Sequence, residues 1–326
     1  MLRVLSKSDI QKAVSMGQAI EIVKGAFAQL STGRAIVPLR TSIEVKRHGG
    51  VILYMPAYLE ESEDLEVKIV SVFPRNLEMG LPTITALVVV NDARTGAPLA
   101  VMDGTYLTAL RTGAASGAAT DLLAREDTKV AAIFGAGAQG RTQLLAVCEV
   151  REIERAWVYD VNAKAAEDYV QEMRSKVPCE LRIASSPAEA VREADVICTA
   201  TTSKTPVFAD SDLKPGVHIN AIGAFTPEMQ EIPAETVKRA RIVVGSREGC
   251  LAEAGDIIIP LRQGLITEED IHAELGEIVA GRKKGRESET EITLFKSVGN
   301  AVQDASVAGQ VLRRAKELGL GTEVEL

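Results

Sequence analysis

The sequence predicts an α/β protein, with a doubly wound parallel sheet joined to a second, α+β region. Three observations carry this. From Lys129 onward, apolar strand patterns alternate with helical ones. A glycine-rich turn, Gly135-Ala136-Gly137-Ala138-Gln139-Gly140, directly follows the first of those strands and opens a helix. The stretch from Pro38 to Met102 instead reads as short strands separated by turn signals such as His48-Gly49-Gly50.

In chain order, residues 9–31 form a helical pattern, with Ile10, Val14, Ala19, Ile20, Val23, Phe27 and Leu30 on one face and Gly33 as a stop. Strands are expected at 40–45, 51–55, 65–73, 83–91 and 98–103, mostly antiparallel. Residues 105–125 return to helix and are dense in small side chains, which allow close approach of another backbone or of a ligand. The alternating part then gives strands at 130–134, 156–160, 181–184, 196–200, 218–222 and 242–244. Helices between them run to about Val150 and over 163–175, 187–194 and 234–240. The tail, 292–318, is a long helical pattern able to pack back on the first region. The expected division is residues 1–112 with 300–326 as one discontinuous domain, and 113–299 as the other.

Composition narrows the function. The 326 residues are 46% hydrophobic and 25% charged, which excludes a mainly disordered chain. Aromatic residues are only 4%, with one Trp, too few for stacking platforms that hold single-stranded nucleic acid. A net charge of −8 without a basic cluster argues against nucleic-acid binding generally. No apolar leader precedes Asp9, and no run reaches the ~18 apolar residues of a membrane span, so a cytoplasmic protein is expected. The four cysteines lie far apart in sequence with no CxxC, and the three histidines are not spaced as metal ligands. Neither a disulfide framework nor a metal site is expected.

The glycine turn carries the chemistry. Gly135 permits the tight turn, Gly137 lets the main chain approach a pyrophosphate, and Gly140 lets helix and strand pack closely. Asp160 ends the next strand about 20 residues on, where an acid accepts hydrogen bonds from an adenosine ribose. Its charge also repels a 2′-phosphate, so NAD(H) is favoured over NADP(H). The segments Cys198-Thr199-Ala200-Thr201-Thr202-Ser203 and Ala221-Ile222-Gly223-Ala224 end two further strands, and ligands in open α/β sheets lie at such ends. In the first region, Lys68 interrupts the apolar strand Val67-Lys68-Ile69-Val70, Arg111 heads the small-residue helix, and Arg40 heads a strand. As a set they make a carboxylate-binding group.

Taken together these residues resemble the ornithine cyclodeaminase/mu-crystallin family, nearly end to end. The resemblance is carried by Met55-Pro56-Ala57-Tyr58, Val67-Lys68-Ile69-Val70, Gly80-Leu81-Pro82-Thr83 and the run from Thr95 to Asp103. Leu107-Thr108-Ala109-Leu110-Arg111-Thr112-Gly113-Ala114-Ala115, the glycine turn and Asn220-Ala221-Ile222-Gly223-Ala224 complete it. It implies a Rossmann-type NAD(P) domain, a substrate-binding and dimerisation domain, and a homodimer joined through the N-terminal domain. It also implies that Arg40, Lys68 and Arg111 hold a substrate carboxylate. The positions it matches to cofactor contacts are Thr83, Arg111, Ala138, Gln139, Asp160, Thr202 and Ile222, with the region Ser297-Val298-Gly299 close to them; Thr112, Thr201, Gly223, Val298 and Gly299 join Gly135, Gly137 and Gly140 as further candidate cofactor residues.

Two departures choose among the family's reactions. Ornithine cyclodeaminases carry a Glu where this chain has Leu53, and an Asp where it has Phe225. Without those carboxylates a diamine has no counter-charge. Alanine dehydrogenases of the family also use the second one. The resemblance therefore implies NADH-dependent reduction of a cyclic ketimine carboxylate, Δ1-pyrroline-2-carboxylate or Δ1-piperideine-2-carboxylate, to proline or pipecolate. Lys68 is the candidate general acid, a purely electrostatic role being the alternative, and Arg111 fixes the carboxylate. Alanine dehydrogenase, ornithine cyclodeaminase and a non-enzymatic ligand-binding protein are the alternatives.

Overall fold

A computed structural model describes residues 1–325, with every side chain among them except that of Leu77. The chain forms two compact units, Met1–Arg111 with Ala301–Leu326, and Thr112–Asn300. Among the described residues no helix is long and apolar enough to cross a membrane.

The first unit is built on an eight-stranded sheet. Its order is Thr322–Val324, Leu2–Leu5, Pro98–Asp103, Ile84–Asp92, Asp64–Val72, Gly50–Leu59 and Ala35–Ile36, with Thr41–Val45 also pairing with Gly50–Leu59. Every pairing is antiparallel except that of Leu2–Leu5 with Pro98–Asp103. Burial alternates from Asp64 to Ser71 along Asp64–Val72, so Asp64, Glu66, Lys68 and Val70 share the inner face. The helix Ala301–Leu318 packs over this strand and Gly50–Leu59, and Met55, Ala57, Leu59, Val302 and Ala305 share a core there.

The second unit holds eight parallel strands in the order Glu180–Ile183, Arg155–Tyr159, Val130–Phe134, Val196–Thr199, His218–Ala221, Thr293–Lys296, Arg241–Val244, Ile271–Glu274. Both faces are covered. Ala131 and Ile133 enter one core with Leu144, Val158 and Tyr169, while Ala132 and Phe134 enter another with Ile197, Ile219 and Leu294. A sheet buried on both sides needs continuous apolar strands, which is how Val130–Phe134 reads. The order of strands reverses between Val130–Phe134 and Val196–Thr199, opening a crevice at their C-terminal ends.

Several expected elements are corrected. The helix expected over 9–31 is two helices, Lys7–Ala13 and Met16–Ser31, because Ser15 caps the second with a capping box to Gln18. The tail expected as one helix over 292–318 is the strand Thr293–Lys296 followed by the helix Ala301–Leu318, with Gly299 at φ 80° between them. Apolar residues of a fully buried strand carry no period that separates them from a helix. The strands Leu2–Leu5, Ile271–Glu274 and Thr322–Val324 went unread, each being short. In the small-residue helix Gly104–Leu123, a side chain at Gly113 would lie 2.6 Å from the Thr142 carbonyl, so close helix packing accounts for the glycine there.

Candidate active site

In the first unit the three basic residues converge on a carboxylate that the sequence reading missed. Lys68 Nζ donates to Asp304 Oδ2 at 2.6 Å and Arg111 Nε donates to Asp304 Oδ1 at 3.0 Å. Arg111 Nη1 also donates to Gln303 Oε1 at 2.8 Å. Lys68 is 1% exposed, Arg111 5% and Asp304 not at all. Arg40 lies near enough to feel Arg111 and Asp304, and its burial together with the Arg111 charge lowers its pKa. Glu66 shares the strand face with Lys68 and is 2% exposed, and neither of its oxygens has a hydrogen-bond partner. Burial and the nearby Asp304 push its pKa well above the usual carboxylate range. Lys68 is pushed down to about 8, by burial first and then by Arg111, with Asp304 pulling it back up.

Lys68 and Arg111 pair with Asp304, half-buried Arg40 lies near them, and Glu66, its pKa raised by burial and by Asp304, stands beside the group. Buried charge is costly unless it is matched. A group of this chemistry can take a carboxylate, and Lys68, pushed down to about 8, can donate a proton near neutral pH.

In the second unit the residues of the glycine turn lie at the reversal in strand order. Gly135 has φ 97°, and a Cβ there would lie 2.6 Å from the Ala200 carbonyl. A Cβ at Gly140 would strike the Gly135 carbonyl. At Gly137, by contrast, nothing lies within 4 Å of an added Cβ, so the main chain there is open to a ligand. Gly137 caps the helix Ala138–Val150, whose free N–H groups and dipole attract an anion. Gln139 Oε1 is buried without a partner. A cavity of about 550 Å³ is lined by Gly135, Gly137, Asp160, Thr201, Thr202 and Val207, among others. These features fit a dinucleotide.

Asp160 is partly occupied. Its Oδ2 accepts from the Ala136 N–H at 2.8 Å and its Oδ1 from the Asn162 N–H at 2.8 Å. A carboxylate accepts about four bonds, so capacity remains for ribose hydroxyls. The bonds also fix its direction beside the glycine turn.

The other residues singled out are placed as follows. Thr112 is buried, and its carbonyl accepts from Gln143 Nε2 at 3.4 Å. Ile222 and Gly223 continue from His218–Ala221, both N–H groups donating to the Thr199 carbonyl. Val298 and Gly299 follow the strand Thr293–Lys296, which neighbours His218–Ala221, and Val298 packs near Gly249. Thr83 is in the first unit, half-buried just before Ile84–Asp92, its carbonyl taking the Phe73 N–H.

A second buried ionic group was also unread. Glu231 and Asp256 are wholly buried with Lys296, whose Nζ donates to Asp256 Oδ2 at 2.9 Å. A larger cavity, about 690 Å³, is lined by Arg125, Arg151 and Arg286. Those guanidiniums donate to backbone carbonyls and to Asp195. Cys148 and Cys179, distant in sequence, have sulfurs 3.9 Å apart, and all four cysteines are free.

A model of the ornithine cyclodeaminase/mu-crystallin family matches residues 2–319. A Δ1-pyrroline-2-carboxylate reductase of Bacillus cereus is 42% identical over 323 residues, covering 99% of each chain. The solved Δ1-pyrroline-2-carboxylate reductase of Thermococcus litoralis, in complex with NADH and L-proline, is 53% identical with a TM-score of 0.96, covering 99% of this chain and 100% of that one. A solved archaeal alanine dehydrogenase dimer with bound NAD is 38% identical with a TM-score of 0.92, covering 99% of each. The chain belongs to the ornithine cyclodeaminase/mu-crystallin family.

Proposed function

We propose that this protein is an NADH-dependent reductase of small cyclic ketimine carboxylates, with Δ1-pyrroline-2-carboxylate, reduced to L-proline, as the first substrate. The observation that carries the reading is the meeting of buried Lys68 and Arg111 at Asp304, with half-buried Arg40 beside them. That group suits a monocarboxylate, and two reductases of this substrate are 42% and 53% identical to the chain.

The roles follow from the chemistry. Arg111 and Arg40 pair with the substrate carboxylate and fix the ring's orientation, which is the main contribution of positioning. Lys68, with its proton held near pH 8, gives it to the imine nitrogen. Asp304 keeps Lys68 and Arg111 aimed. Residues 1–112 with 300–326 bind the substrate, and 113–299 bind the dinucleotide. Gly135 to Gly140 take the pyrophosphate, Asp160 the adenosine ribose, and Thr201, Thr202, Ile222 and Gly223 wall the other half, with Thr83, Thr112, Val298 and Gly299 as further contacts. The dinucleotide supplies the hydride. Leu53 and Phe225, apolar where a diamine needs carboxylates, support a substrate without a second amine.

We also propose a cytoplasmic homodimer joined through the first unit. The sheet face opposite Lys68 leaves Ile36, Ile43 and Leu87 exposed, an apolar surface suited to a second copy.

The test is NADH consumption with Δ1-pyrroline-2-carboxylate, Δ1-piperideine-2-carboxylate, and pyruvate plus ammonia, with ornithine tried without reductant. The cyclic imines should be turned over fastest. Faster turnover of pyruvate plus ammonia, or proline made from ornithine, would sink the reading. NADPH should serve poorly, and Asp160→Ser should raise the NADPH-to-NADH ratio of kcat/KM about tenfold or more, since it removes the charge facing a 2′-phosphate.

A further inference from the structure

Glu231 is unusual for a carboxylate with no place among the residues that meet substrate or dinucleotide. It is wholly buried and takes four hydrogen bonds. Its Oε2 accepts from Thr199 Oγ1 at 2.9 Å, the Gly223 N–H at 2.7 Å and the Ala224 N–H at 3.0 Å. Its Oε1 accepts from the Thr201 N–H at 2.6 Å. These donors belong to two chain segments leaving neighbouring parallel strands, just beyond the last paired residues, Thr199 and Ala221. There the ladder ends, and buried N–H groups need another acceptor. One carboxylate supplies it to both segments.

Glu231 is itself held. Its own N–H and that of Ile232 donate to Asp256 Oδ1 at 2.7 and 2.9 Å, and Asp256 Oδ2 takes the Lys296 ammonium at 2.9 Å. Lys296 lies on the strand next to His218–Ala221. The group thus ties three adjacent strand ends. Gly223 has no room for a Cβ, which would strike the Thr201 backbone and approach Glu231. Two of the tied residues, Thr199 and Thr201, flank Ala200, and Ala200, Thr201 and Thr202 line the 550 Å³ cavity.

We propose that Glu231 is a positioning residue, setting the separation of the Thr199–Thr202 and Ile222–Ala224 segments that wall the nicotinamide half of the dinucleotide site. This rests on the dinucleotide reading above. The half is assigned by topology. Asp160, on the adenosine side, lies to one side of the reversal in strand order, and both segments lie on the other. An apolar plug would close the strand ends with less cost than buried carboxylates, but would not fix two backbones by hydrogen bonds.

The experiment uses the full chain and two ligands. NADH needs both halves of the site, whereas ADP-ribose carries adenosine and pyrophosphate without nicotinamide. In Glu231→Gln an amide NH₂ replaces one oxygen and faces an N–H donor. NADH affinity should fall at least tenfold, with ADP-ribose affinity within twofold of wild type. The kcat at saturating NADH should fall at least tenfold. Equal weakening of both ligands would mean general loosening and would overturn the proposal, as would an unchanged ratio. Should Glu231→Gln not fold, Thr199→Val decides. It removes one donor only, and a two- to fivefold shift in the NADH-to-ADP-ribose ratio is expected; no shift overturns the role. Wild-type protein binding neither ligand would instead sink the dinucleotide reading and this inference with it.

Discussion

The two buried ionic groups differ in a way that separates chemistry from scaffold. Around Asp304, Lys68 and Arg111 share one carboxylate, and Glu66 stands beside them with neither oxygen bonded. Around Glu231 and Asp256, each carboxylate is bonded by backbone N–H groups, and one ammonium joins them. The first group leaves a buried carboxyl unbonded, and the proposed function places the substrate carboxylate there. The second is complete and holds strand ends in place. A buried carboxylate is therefore a poor pointer to function until its partners are counted.

The largest expected effect breaks the first group. Lys68→Met should lower kcat by about 10²–10⁴, the usual worth of a general acid. Melting should hardly change, because Asp304 keeps Arg111 and the methionine fills the buried stem. In wild type, kcat/KM should decline as pH rises through about 8, where Lys68 loses its proton. A rise in KM alone would make Lys68 a binder and no acid.

Lys296→Met tests the opposite group, and here stability should respond. Losing the ammonium leaves Asp256 charged in a dry site, at a cost of about 3–5 kcal/mol in denaturant unfolding. A loss under about 1 kcal/mol would mean that the backbone N–H groups suffice and that the two groups are less distinct than described.

Arg111→Lys keeps the charge but loses the planar fork shared between Asp304 and Gln303. The KM for the imine should rise about 10- to 100-fold, from about 1.5–3 kcal/mol of charge-assisted bonding. An unchanged KM would remove Arg111 from substrate binding.

The smallest effect is a slope. The native Glu66 pKa is raised, so the folded protein keeps a proton that the unfolded chain gives up. Stability at this residue is therefore full below the ordinary carboxylate range and falls as pH rises toward the folded value. Glu66→Gln keeps the neutral shape and should flatten the fall of melting temperature with pH. A steeper fall would show that Glu66 is ionised in the fold, making the first group nearly neutral.

The legible parts were local. The capping and turn chemistry around Gly135–Gly140, the alternation of Asp64–Val72 and the apolar core of Val130–Phe134 are short-range signals, and the strands formed where they pointed. The break at Ser15 was overlooked although Ser15 and Gln18 spell a capping box. Thr293–Lys296 was misread because a strand buried on both faces has no period of two. Asp304 left a faint trace, an acid among the alanines and valines of Ala301–Leu318.

The sequence by itself determined the parallel sheet, the phosphate turn, the acid at the second strand and the suspicion attached to Arg40, Lys68 and Arg111. The first three rest on local pattern and spacing, and the grouping of Arg40, Lys68 and Arg111 rests on the family resemblance. Tertiary structure decided which carboxylates those cations meet and which do not reach them. Asp304 lies 236 residues from Lys68, and Glu231 lies 30 from Thr201 with a strand between. Partners across such separations are brought together only by the packing of strands and helices, and with them comes the burial that lowers the Lys68 pKa and raises that of Glu66.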